Sequence, residues 1–518
     1  MLPRHFVYAP QERRQWRANA TGQFAFPRTI RRVAIIGAGP VGLACAHAFL
    51  QTNRRAALDN QTPPFSTIRV FEQNASVGGT WQYSDQVDQT VQFPSTNPIP
   101  TAWDQAEAGT AANLGQYVGN IYRDLRTNLP TNVMCFPDAA FPNQCPTFPH
   151  HPAVLQYVQT YAQTTGVLPL IQFRTRLVHL TWCAASAEWS CQLQSVTEQA
   201  PQPTPRVERF DAVIVCIGHF DVPFVPEIPG LSALATSRCP GLPRLLHSRQ
   251  YKTSDIAQGQ RVVVVGGGPS GKDIIREIMP HAAHVYQSVR NPEQVFSLDN
   301  FRAWHPGTAG EFTVCAGIQA FDPQSGSVRF TDGQVIPCPD LVIFATGYLY
   351  SVPFLPQLSA PELDGAMAKY ENSPPLLQSS FPTKEAPTPS NILITNGHQM
   401  HNLYYQLFYI PNPTLSFPVL LTKVAPLPMA YYQAQLLARV YAGQVPLPDQ
   451  AHMYHHHAHE IQDQPPGSLR HLFADQEVDY KNALAEWVDD TDVLDYVSEE
   501  WAERRRQAFP LRAKVLGY

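Results

Sequence analysis

Two glycine-rich turns of the same type, about 229 positions apart, carry the residues whose spacing best suits chemistry in this chain. The first is Gly37-Ala38-Gly39-Pro40-Val41-Gly42 and the second is Gly266-Gly267-Gly268-Pro269-Ser270-Gly271. In such a turn, one glycine makes the bend, one lets the backbone approach a pyrophosphate, and one allows a helix to pack closely on a strand. A single motif is a weak signal, but each of these follows a run of apolar residues typical of a strand. We therefore predict that the chain binds two dinucleotides.

The first turn is followed by an acidic residue that suits a ribose. Glu72 ends the predicted strand Ile68–Glu72, and a carboxylate in that place accepts hydrogen bonds from ribose hydroxyl groups. It lies 30 residues after Gly42, whereas about 20 is usual. We interpret the polar segment Gln51–Thr67 as a surface loop that accounts for the difference. The predicted ligands at this site are Gly37, Gly39, Pro40, Gly42 and Glu72.

The second turn is followed by a strand with no acid at its end. That strand reads His284-Val285-Tyr286-Gln287-Ser288-Val289-Arg290. A carboxylate there would repel the 2′-phosphate of NADPH, whereas Ser288 and Arg290 could bind it, so NADPH is favoured over NADH. The alternative is that Arg290 is an exposed loop charge. The predicted ligands at this site are Gly266, Gly268, Ser270, Gly271, Lys272, Asp273, Ser288 and Arg290.

Both turns require a parallel sheet whose strands lead into helices. Periodicity predicts a buried strand at Arg32–Ile36, a helix from Gly42 to Leu50, and a second unit beginning with strand Arg261–Val265. The strand within Asp340–Tyr348 is predicted to return the chain to the first unit. The fold class is therefore α/β, with two Rossmann-like, dinucleotide-binding domains, the NADPH domain being inserted into the domain of the first turn. The predicted bounds are 1–29 for an N-terminal arm, 30–216 and 340–450 for the domain of the first turn, 217–339 for the NADPH-binding domain, and 451–518 for a polar, largely helical C-terminal extension.

The composition excludes several kinds of partner. The 518 residues carry a formal net charge of only −5, which disfavours binding to nucleic acid. No segment reaches the roughly 18 consecutive apolar residues of a membrane span, so we expect no integral membrane segment. The nine cysteines form no C-x-x-C pair, which favours free thiols in a reducing compartment and a cytoplasmic location. We expect a small-molecule substrate, and the sequence leaves the oligomeric state open, a homodimer included.

Two local clusters invite other interpretations. The first 32 residues carry seven arginines and one acid, Glu12, a bias that resembles a mitochondrial presequence, although a solvated arm is favoured. A group of histidines invites a metal site, but its polar neighbours and the lack of a second ligand set favour a solvated helix or loop, with no metal. These histidines are His452, His455, His456, His457 and His459.

Further motifs follow in order between about Arg32 and Pro448. They are Gly78-Gly79-Thr80-Trp81, Leu125-Arg126-Thr127-Asn128, Met134-Cys135-Phe136-Pro137-Asp138, Gly218-His219, His247-Ser248-Arg249-Gln250-Tyr251, Phe344-Ala345-Thr346-Gly347-Tyr348 and Gln433-Ala434-Gln435. Together with the two glycine turns, this order resembles the class B flavin-dependent monooxygenases. Within that class, the chain is most similar to the flavin-containing monooxygenase family and its fungal members.

The resemblance implies FAD at the first turn, NADPH at the second and molecular oxygen as co-substrate. It also implies oxygenation of a nitrogen or sulfur nucleophile through a flavin C4a-hydroperoxide, with the protein orienting and shielding the flavin. Asn128 matches the family's active-site asparagine, which supports that intermediate; the alternative is a turn-forming residue before Leu129-Pro130. Trp81 would cover the flavin, or else belong to the core. The cofactor contacts that the resemblance adds are Gly79, Thr80, Trp81, Thr127, Asn128, Leu129, Thr346 and Gly347.

The chain also departs from the family pattern. The motif F-x-G-x-x-x-H-x-x-x-[F/Y] has Cys239 in place of its phenylalanine, and five residues separate Gly241 from His247. Tyr251 is not followed by the ending typical of Baeyer–Villiger relatives, which argues against lactone formation. Val419 replaces a glycine that lies near the flavin in relatives. Two alternatives stay open: an N-hydroxylating monooxygenase of an amino-acid side chain, and a catalytically silent dinucleotide-binding redox sensor.

Overall fold

The computed structural model describes residues 22–99, 118–196, 204–237, 239–306, 310–367, 388–462, 471, 473 and 476–517. The arginine-rich segment compared with a presequence lies mostly outside these residues. Two large sheets, the first mixed and the second parallel, organise the rest of the chain, because each glycine turn joins a buried strand to a helix that packs on its sheet. We call them the first sheet and the second sheet, and each with its covering helices the first unit and the second unit.

The first sheet has seven strands. The central strand Arg32–Ile36 pairs in parallel with Thr67–Phe71 on one side and Ala212–Val215 on the other. Four of the five residues in the central strand are buried, as expected for a parallel sheet covered on both faces. In spatial order the strands are Leu403–Tyr404, Phe408–Tyr409, Leu415–Ser416, Ala212–Val215, Arg32–Ile36, Thr67–Phe71 and Ile171–Gln172.

The second sheet has five parallel strands. In spatial order they are Glu311–Cys315, His284–Ser288, Arg261–Val265, Leu341–Phe344 and Arg244–His247. The predicted α/β class is confirmed, since the second sheet lies between two parts of the first sheet along the chain. Three smaller sheets comprise Thr175–Cys183 with Glu188–Ser195 and Arg206–Phe210, Ile318–Phe321 with Val328–Phe330 and Val335–Ile336, and Val222–Pro223 with Tyr348–Leu349.

Ten helices accompany these strands in the described residues. Pro40–Leu58 and Pro426–Tyr441 cover the same core beside the first sheet, and Pro269–Ile278 packs on the second sheet. The complete set is Pro40–Leu58, Thr131–Met134, His151–Thr164, Leu231–Thr236, Pro269–Ile278, Leu298–Trp304, Pro426–Tyr441, Gln450–Gln462, Glu477–Val488 and Glu499–Leu516.

The prediction for the strand within Asp340–Tyr348 is wrong. Leu341–Phe344 pairs with Arg261–Val265 and Arg244–His247, so it belongs to the second sheet. All four of its residues are buried, and such an apolar run is typical of a central parallel strand in either sheet. The chain rejoins the first sheet only at Leu403. The remaining predicted domain bounds stay a proposal.

The interpretation of Gln51–Thr67 as a loop is also wrong for its first half. The helix that starts at Pro40 continues to Leu58, and the true loop begins at Asp59. The side chain of Asn53 accepts from the Phe65 amide at 3.0 Å and donates to its carbonyl at 2.8 Å, which fastens the loop to the helix. The polar residues occupy the outer face of a helix, so composition alone does not distinguish them from a loop.

The histidine group lies on the helix Gln450–Gln462, and the solvated interpretation holds for only part of it. His452, His455 and His459 are exposed, but His456 and His457 are buried. The ring of His456 stacks on Tyr405 with 4.8 Å between centroids. Among the described residues, no group of three or more histidine, cysteine or acidic side chains is arranged to hold a metal.

Glu460 on the same helix is buried beside these histidines. Its Oε2 accepts a hydrogen bond of 3.1 Å from the Gln406 amide. Burial raises the pKa of Glu460 to about 8, against the opposing effect of that hydrogen bond, while burial and then the nearby His401 lower the pKa of His457 to about 3. Glu460 is therefore mainly protonated at neutral pH, because a lone buried carboxylate is costly.

We predict that the stability of Glu460→Gln falls less than that of the wild type as the pH rises to about 8. The pKa is raised on folding, so the favourable contribution of Glu460 is complete below the unfolded pKa, near 4.5, and is lost as the pH rises through about 8. Thermal unfolding between pH 6.5 and 8.5 should therefore show a larger drop in Tm for the wild type than for the variant. Exposed Glu362→Gln serves as the control, and parallel curves for all three proteins would contradict the prediction.

Candidate functional site

The first glycine turn has a backbone that no other residue fits. Gly37 has φ +101°, and a Cβ added there would lie 2.6 Å from the carbonyl oxygen of Cys216. A Cβ on Gly42 would lie 1.9 Å from the carbonyl oxygen of Gly37. The helix begins at Pro40, directly after the bend, so its free amide groups and positive dipole end face the turn. The structure thus brings Gly37, Gly39, Pro40 and Gly42 together in a turn at a helix N-terminus, a geometry that suits an anion.

Glu72 lies against this turn and supports it. The side chain is buried; its Oε2 accepts from the Ala38 amide at 2.7 Å and its Oε1 from the Asn74 amide at 2.8 Å. Burial raises the pKa of Glu72, against the opposing hydrogen bonds from Asn74 and Ala38. Each carboxylate oxygen retains a second lone pair. The geometry therefore shows Glu72 stabilising the turn, and its bond to a ribose remains a prediction.

The predicted contacts Gly79, Thr80 and Trp81 pack beside the first turn. A Cβ on Gly79 would lie 3.0 Å from the Cα of Gly39, so the two backbones are in close contact. The Thr80 hydroxyl donates to Asn120 Oδ1 at 2.6 Å, and the Asn120 amide donates to the Phe220 carbonyl at 2.7 Å. Asn120 therefore connects this motif to the segment after strand Ala212–Val215, a role that no sequence motif indicated.

Asn128 carries a buried amide oxygen that has no hydrogen-bond partner among the described residues. The residues on either side are held by the backbone: the Thr127 amide donates to the Pro149 carbonyl at 3.0 Å, and the Thr127 hydroxyl donates to the Leu129 carbonyl at 2.9 Å. Buried polar atoms are nearly always satisfied, because an unmade hydrogen bond costs about 1–3 kcal/mol. The unpaired oxygen thus fits a site where a bound molecule supplies the donor.

The second turn repeats the geometry of the first. Gly266 has φ +117°, and a Cβ on it would lie 2.4 Å from the carbonyl oxygen of Ala345; a Cβ on Gly271 would lie 2.6 Å from that of Gly266. Gly268 has open space around it, as close approach of a pyrophosphate requires. Ser270 is exposed at the start of the helix, and Lys272 is half-buried, which lowers its pKa.

Three other predicted contacts of the second site differ from one another. Asp273 is buried and its carboxylate is engaged by the Tyr122 hydroxyl at 2.5 Å and by Arg512 at 2.9 Å. Ser288 is buried, and its hydroxyl donates to the Ala316 carbonyl at 2.8 Å. Arg290 is exposed. Of the three, Arg290 presents its charge to the solvent beside the second turn, and cofactor contacts of the other two remain predictions.

Thr346 and Gly347 lie where the two units meet. The Thr346 hydroxyl donates to the Phe224 carbonyl, and Gly347 has φ +88°. His247 Nε2 lies 3.0 Å from the Gly347 carbonyl oxygen, and His247 Nδ1 lies 3.2 Å from the Arg249 amide nitrogen. Burial lowers the pKa of His247 to about 3, so the ring is neutral and carries its proton on Nε2.

The motif at Cys239 differs from the family pattern, but ion pairs nearby hold the junction between the units. Cys239 is exposed, but Arg249 is buried and pairs with Asp88 and Asp221 at 2.8 Å each. Its Nη2 also donates to the Val118 carbonyl at 3.0 Å. Asp88 and Asp221 come from segments that the sequence interpretation did not single out, since neither belongs to a recognisable motif.

A narrow cleft with a cavity volume of about 10 Å³ lies at the end of strand Ala212–Val215, lined by Gly218, Tyr350, Met400, Phe417 and Val419 among others. Val419 has φ +58°, a strained value for a β-branched residue. Its amide donates to Gln433 Oε1 at 2.7 Å, which secures the strained segment. This position therefore has a glycine-like backbone although it carries valine.

His219 lies beside the cleft. Its ring stacks on Tyr350 with 5.0 Å between centroids, and burial lowers its pKa to about 4, against the opposing effect of the Val419 backbone. The residue is therefore neutral at physiological pH.

Within the described part of the chain, no helix has both the length and the apolarity needed to cross a bilayer.

Curated relatives align with most of this chain. It is 28% identical to the flavin-containing monooxygenase iboF of Amanita muscaria, over 84% of this chain and 83% of the relative. It is 27% identical to the thiol-specific monooxygenase of Saccharomyces cerevisiae, over 80% and 78% of the two chains. Both alignments extend well beyond the two glycine turns.

Solved structures agree in fold. S-allyl-L-cysteine S-oxygenase from Allium sativum superposes with a TM-score of 0.66 at 24% identity, covering 93% of both chains. Tmm from a Pelagibacter strain superposes with a TM-score of 0.63 at 20% identity, covering 92% of this chain and 90% of that one. The model of the flavin-binding monooxygenase-like family matches residues 30–307, more than half of the sequence. The chain belongs to this family of flavin-dependent monooxygenases, which use FAD and NADPH with molecular oxygen.

Proposed function

We propose that this enzyme transfers one oxygen atom to a soft nitrogen or sulfur nucleophile of a small molecule. The observation that carries the proposal is the buried, unpaired amide oxygen of Asn128. The segment before it is bonded to the helix His151–Thr164 through the His151 amide and the Leu125 carbonyl, at 3.1 Å. Leu155 of that helix packs against Gly78 beside the first turn. Asn128 is thereby fastened to the elements that we assign to FAD.

The first turn is proposed to hold FAD and the second NADPH. In the first site, the helix that starts at Pro40 meets the pyrophosphate, and Glu72 supports the turn through the Ala38 amide. In the second site, the open face of Gly268 admits the pyrophosphate, and the exposed Arg290 is placed for the 2′-phosphate. When bound, the reduced flavin supplies an activated oxygen atom, which the protein must protect from water.

The cleft beside Val419 favours an uncharged substrate. The residues that line it carry no charged side chain, so a cationic amino acid would lose hydration there without gaining a counter-ion. This observation argues against N-hydroxylation of ornithine or lysine. The yeast relative is named for thiols, which supports sulfur as a target. All nine cysteines are free, and this supports a reducing compartment such as the cytoplasm.

The first test changes the unpaired amide. Asn128→Ala should keep FAD, because neither backbone anchor of the turn involves its side chain, but should lose the hydrogen bond that supports oxygen transfer. We expect the yield of sulfoxide or N-oxide per NADPH to fall about tenfold or more, with hydrogen peroxide released instead. Flavin absorbance, NADPH consumption, peroxide and product are measured with a panel of thiols, sulfides, tertiary amines, ornithine and lysine.

Unchanged coupling in Asn128→Ala would refute the role of this residue. Product from ornithine or lysine alone would support the N-hydroxylating alternative. Absence of NADPH oxidation in the wild type under air, despite bound FAD, would support the silent redox sensor.

A second test separates cofactor approach from folding at the second turn. Gly268→Ala should leave Tm nearly unchanged, since a Cβ has open space and the backbone there is extended, but should raise the KM for NADPH because the methyl group occupies the approach to the pyrophosphate. Gly271→Ala should lower both Tm and NADPH use, because its Cβ would meet the Gly266 carbonyl oxygen at 2.6 Å. Equal KM values in Gly268→Ala and the wild type would contradict the assignment.

A third test concerns access to the cleft. Val419→Gly removes a buried side chain at a position whose φ of +58° glycine adopts without strain. We expect kcat/KM for bulky thioethers to rise relative to that for dimethyl sulfide, by roughly tenfold if one or two methylene groups are newly accommodated. Val419→Ala is the matched control because it keeps a Cβ. An unchanged ratio in Val419→Gly would place the substrate elsewhere.

A further inference from the structure

The C-terminal helix Glu499–Leu516 is attached to both units of the enzyme. Near its start, Arg505 Nε pairs with Glu477 Oε2 at 2.8 Å, and Arg505 Nη2 donates to the Lys423 carbonyl at 2.7 Å. Glu477 begins a helix of the first unit. The C-terminal helix also packs against the short helix Thr131–Met134, which begins three residues after Asn128.

The far end of the same helix reaches the second unit. Arg512 Nη2 lies 2.9 Å from Asp273 Oδ1, and Asp273 follows Gly271 by two positions on the helix of the second turn. Gly517, which ends the C-terminal helix with φ +71°, lies against Trp304 so closely that an added Cβ would be 2.5 Å from its Cγ. Trp304 ends another helix of the second unit.

Asp273 is shared between two segments from outside the second unit. Its Oδ1 accepts from Arg512 and its Oδ2 accepts from the Tyr122 hydroxyl, at 2.9 and 2.5 Å. Tyr122 lies six positions before Asn128. Arg512 and Asp273 are only 6% and 2% exposed, and breaking such a desolvated pair by removing one partner is costly. Their contact therefore restrains the orientation of the second turn.

We propose that Arg512 is a positioning residue for reduction of the flavin. Through Asp273 and Tyr122, it fixes the helix of the second turn relative to the segment of Asn128, so that the nicotinamide reaches the flavin in a reactive geometry. The inference depends on the proposed assignment of NADPH to the second turn. A hydride passes from nicotinamide C4 to the flavin, NADPH becoming NADP⁺ and the flavin becoming reduced, and Arg512 takes no chemical part in that transfer.

The chemistry explains why a contact of this kind could govern the rate. Hydride transfer needs the two rings in contact, and a displacement of about 1 Å can cost roughly a hundredfold in rate. The second turn is held by its own glycine geometry, but its placement against the first unit depends on side chains. The C-terminal helix lies outside the residues 30–307 that match the family model.

The test is anaerobic single-turnover reduction of the bound flavin by NADPH. In Arg512→Gln we expect the reduction rate at saturating NADPH to fall about tenfold or more, with FAD content unchanged. Arg512→Lys, which keeps the charge, should recover part of the rate. Arg506→Gln is the matched control, since Arg506 lies on the same helix but is exposed and pairs with Glu499 and Glu503.

A double variant separates positioning from stability. Arg512→Gln with Asp273→Asn leaves no uncompensated buried charge, so its Tm should return towards that of the wild type while flavin reduction stays slow. A wild-type rate in Arg512→Gln, or in a double variant of normal Tm, would overturn the inference and leave the proposed function intact. A wild-type enzyme whose flavin NADPH cannot reduce would overturn both.

Discussion

At both glycine turns a helix packs so closely on the strand before it that only glycine fits, and the two parallel strand–helix units are built from this contact. At Gly42 a Cβ would lie 1.9 Å from the Gly37 carbonyl oxygen, and at Gly271 one would lie 2.6 Å from that of Gly266. Glycine at these two positions therefore lets the N-terminus of each helix pack directly against the end of the preceding strand. That arrangement leaves the first amide groups of each helix free for a phosphate.

The polar side chains around these turns make hydrogen bonds to the protein backbone. Both carboxylate oxygens of Glu72 accept hydrogen bonds from backbone amides at the first site. The Ser288 hydroxyl donates to the Ala316 carbonyl at the second site. The amide oxygen of Asn128 is buried and has no hydrogen-bond partner among the described residues. An unmade hydrogen bond of this kind is costly, so a bound molecule that donates to this oxygen would complete the proposed site.

Ion pairs of two buried arginines lie between the units. Arg249 pairs with Asp88 and Asp221 at one side of the junction, and Arg512 pairs with Asp273 at another. Because both arginines are nearly inaccessible to solvent, each pair is sensitive to the loss of a partner. The altered motif at Cys239 is thus compatible with a well-defined junction, since other residues provide the contacts.

Features that depend only on neighbouring residues could be predicted from the sequence alone. A turn without room for a Cβ demands glycine at set intervals, so Gly37, Gly42, Gly266 and Gly271 predicted both units and the α/β class. Features that depend on distant residues became visible only in the folded chain. Strand Leu341–Phe344 is an apolar run that would suit either sheet, and its hydrogen-bonded strand pairing shows that it belongs to the second sheet. Likewise, local sequence predicted Asp273 as a cofactor contact but could not indicate Arg512, which the fold brings to it across 239 positions. The physical reason is that a local sequence pattern reflects the backbone conformation and the burial of each residue, whereas the side chains that contact it from distant positions are determined by the fold.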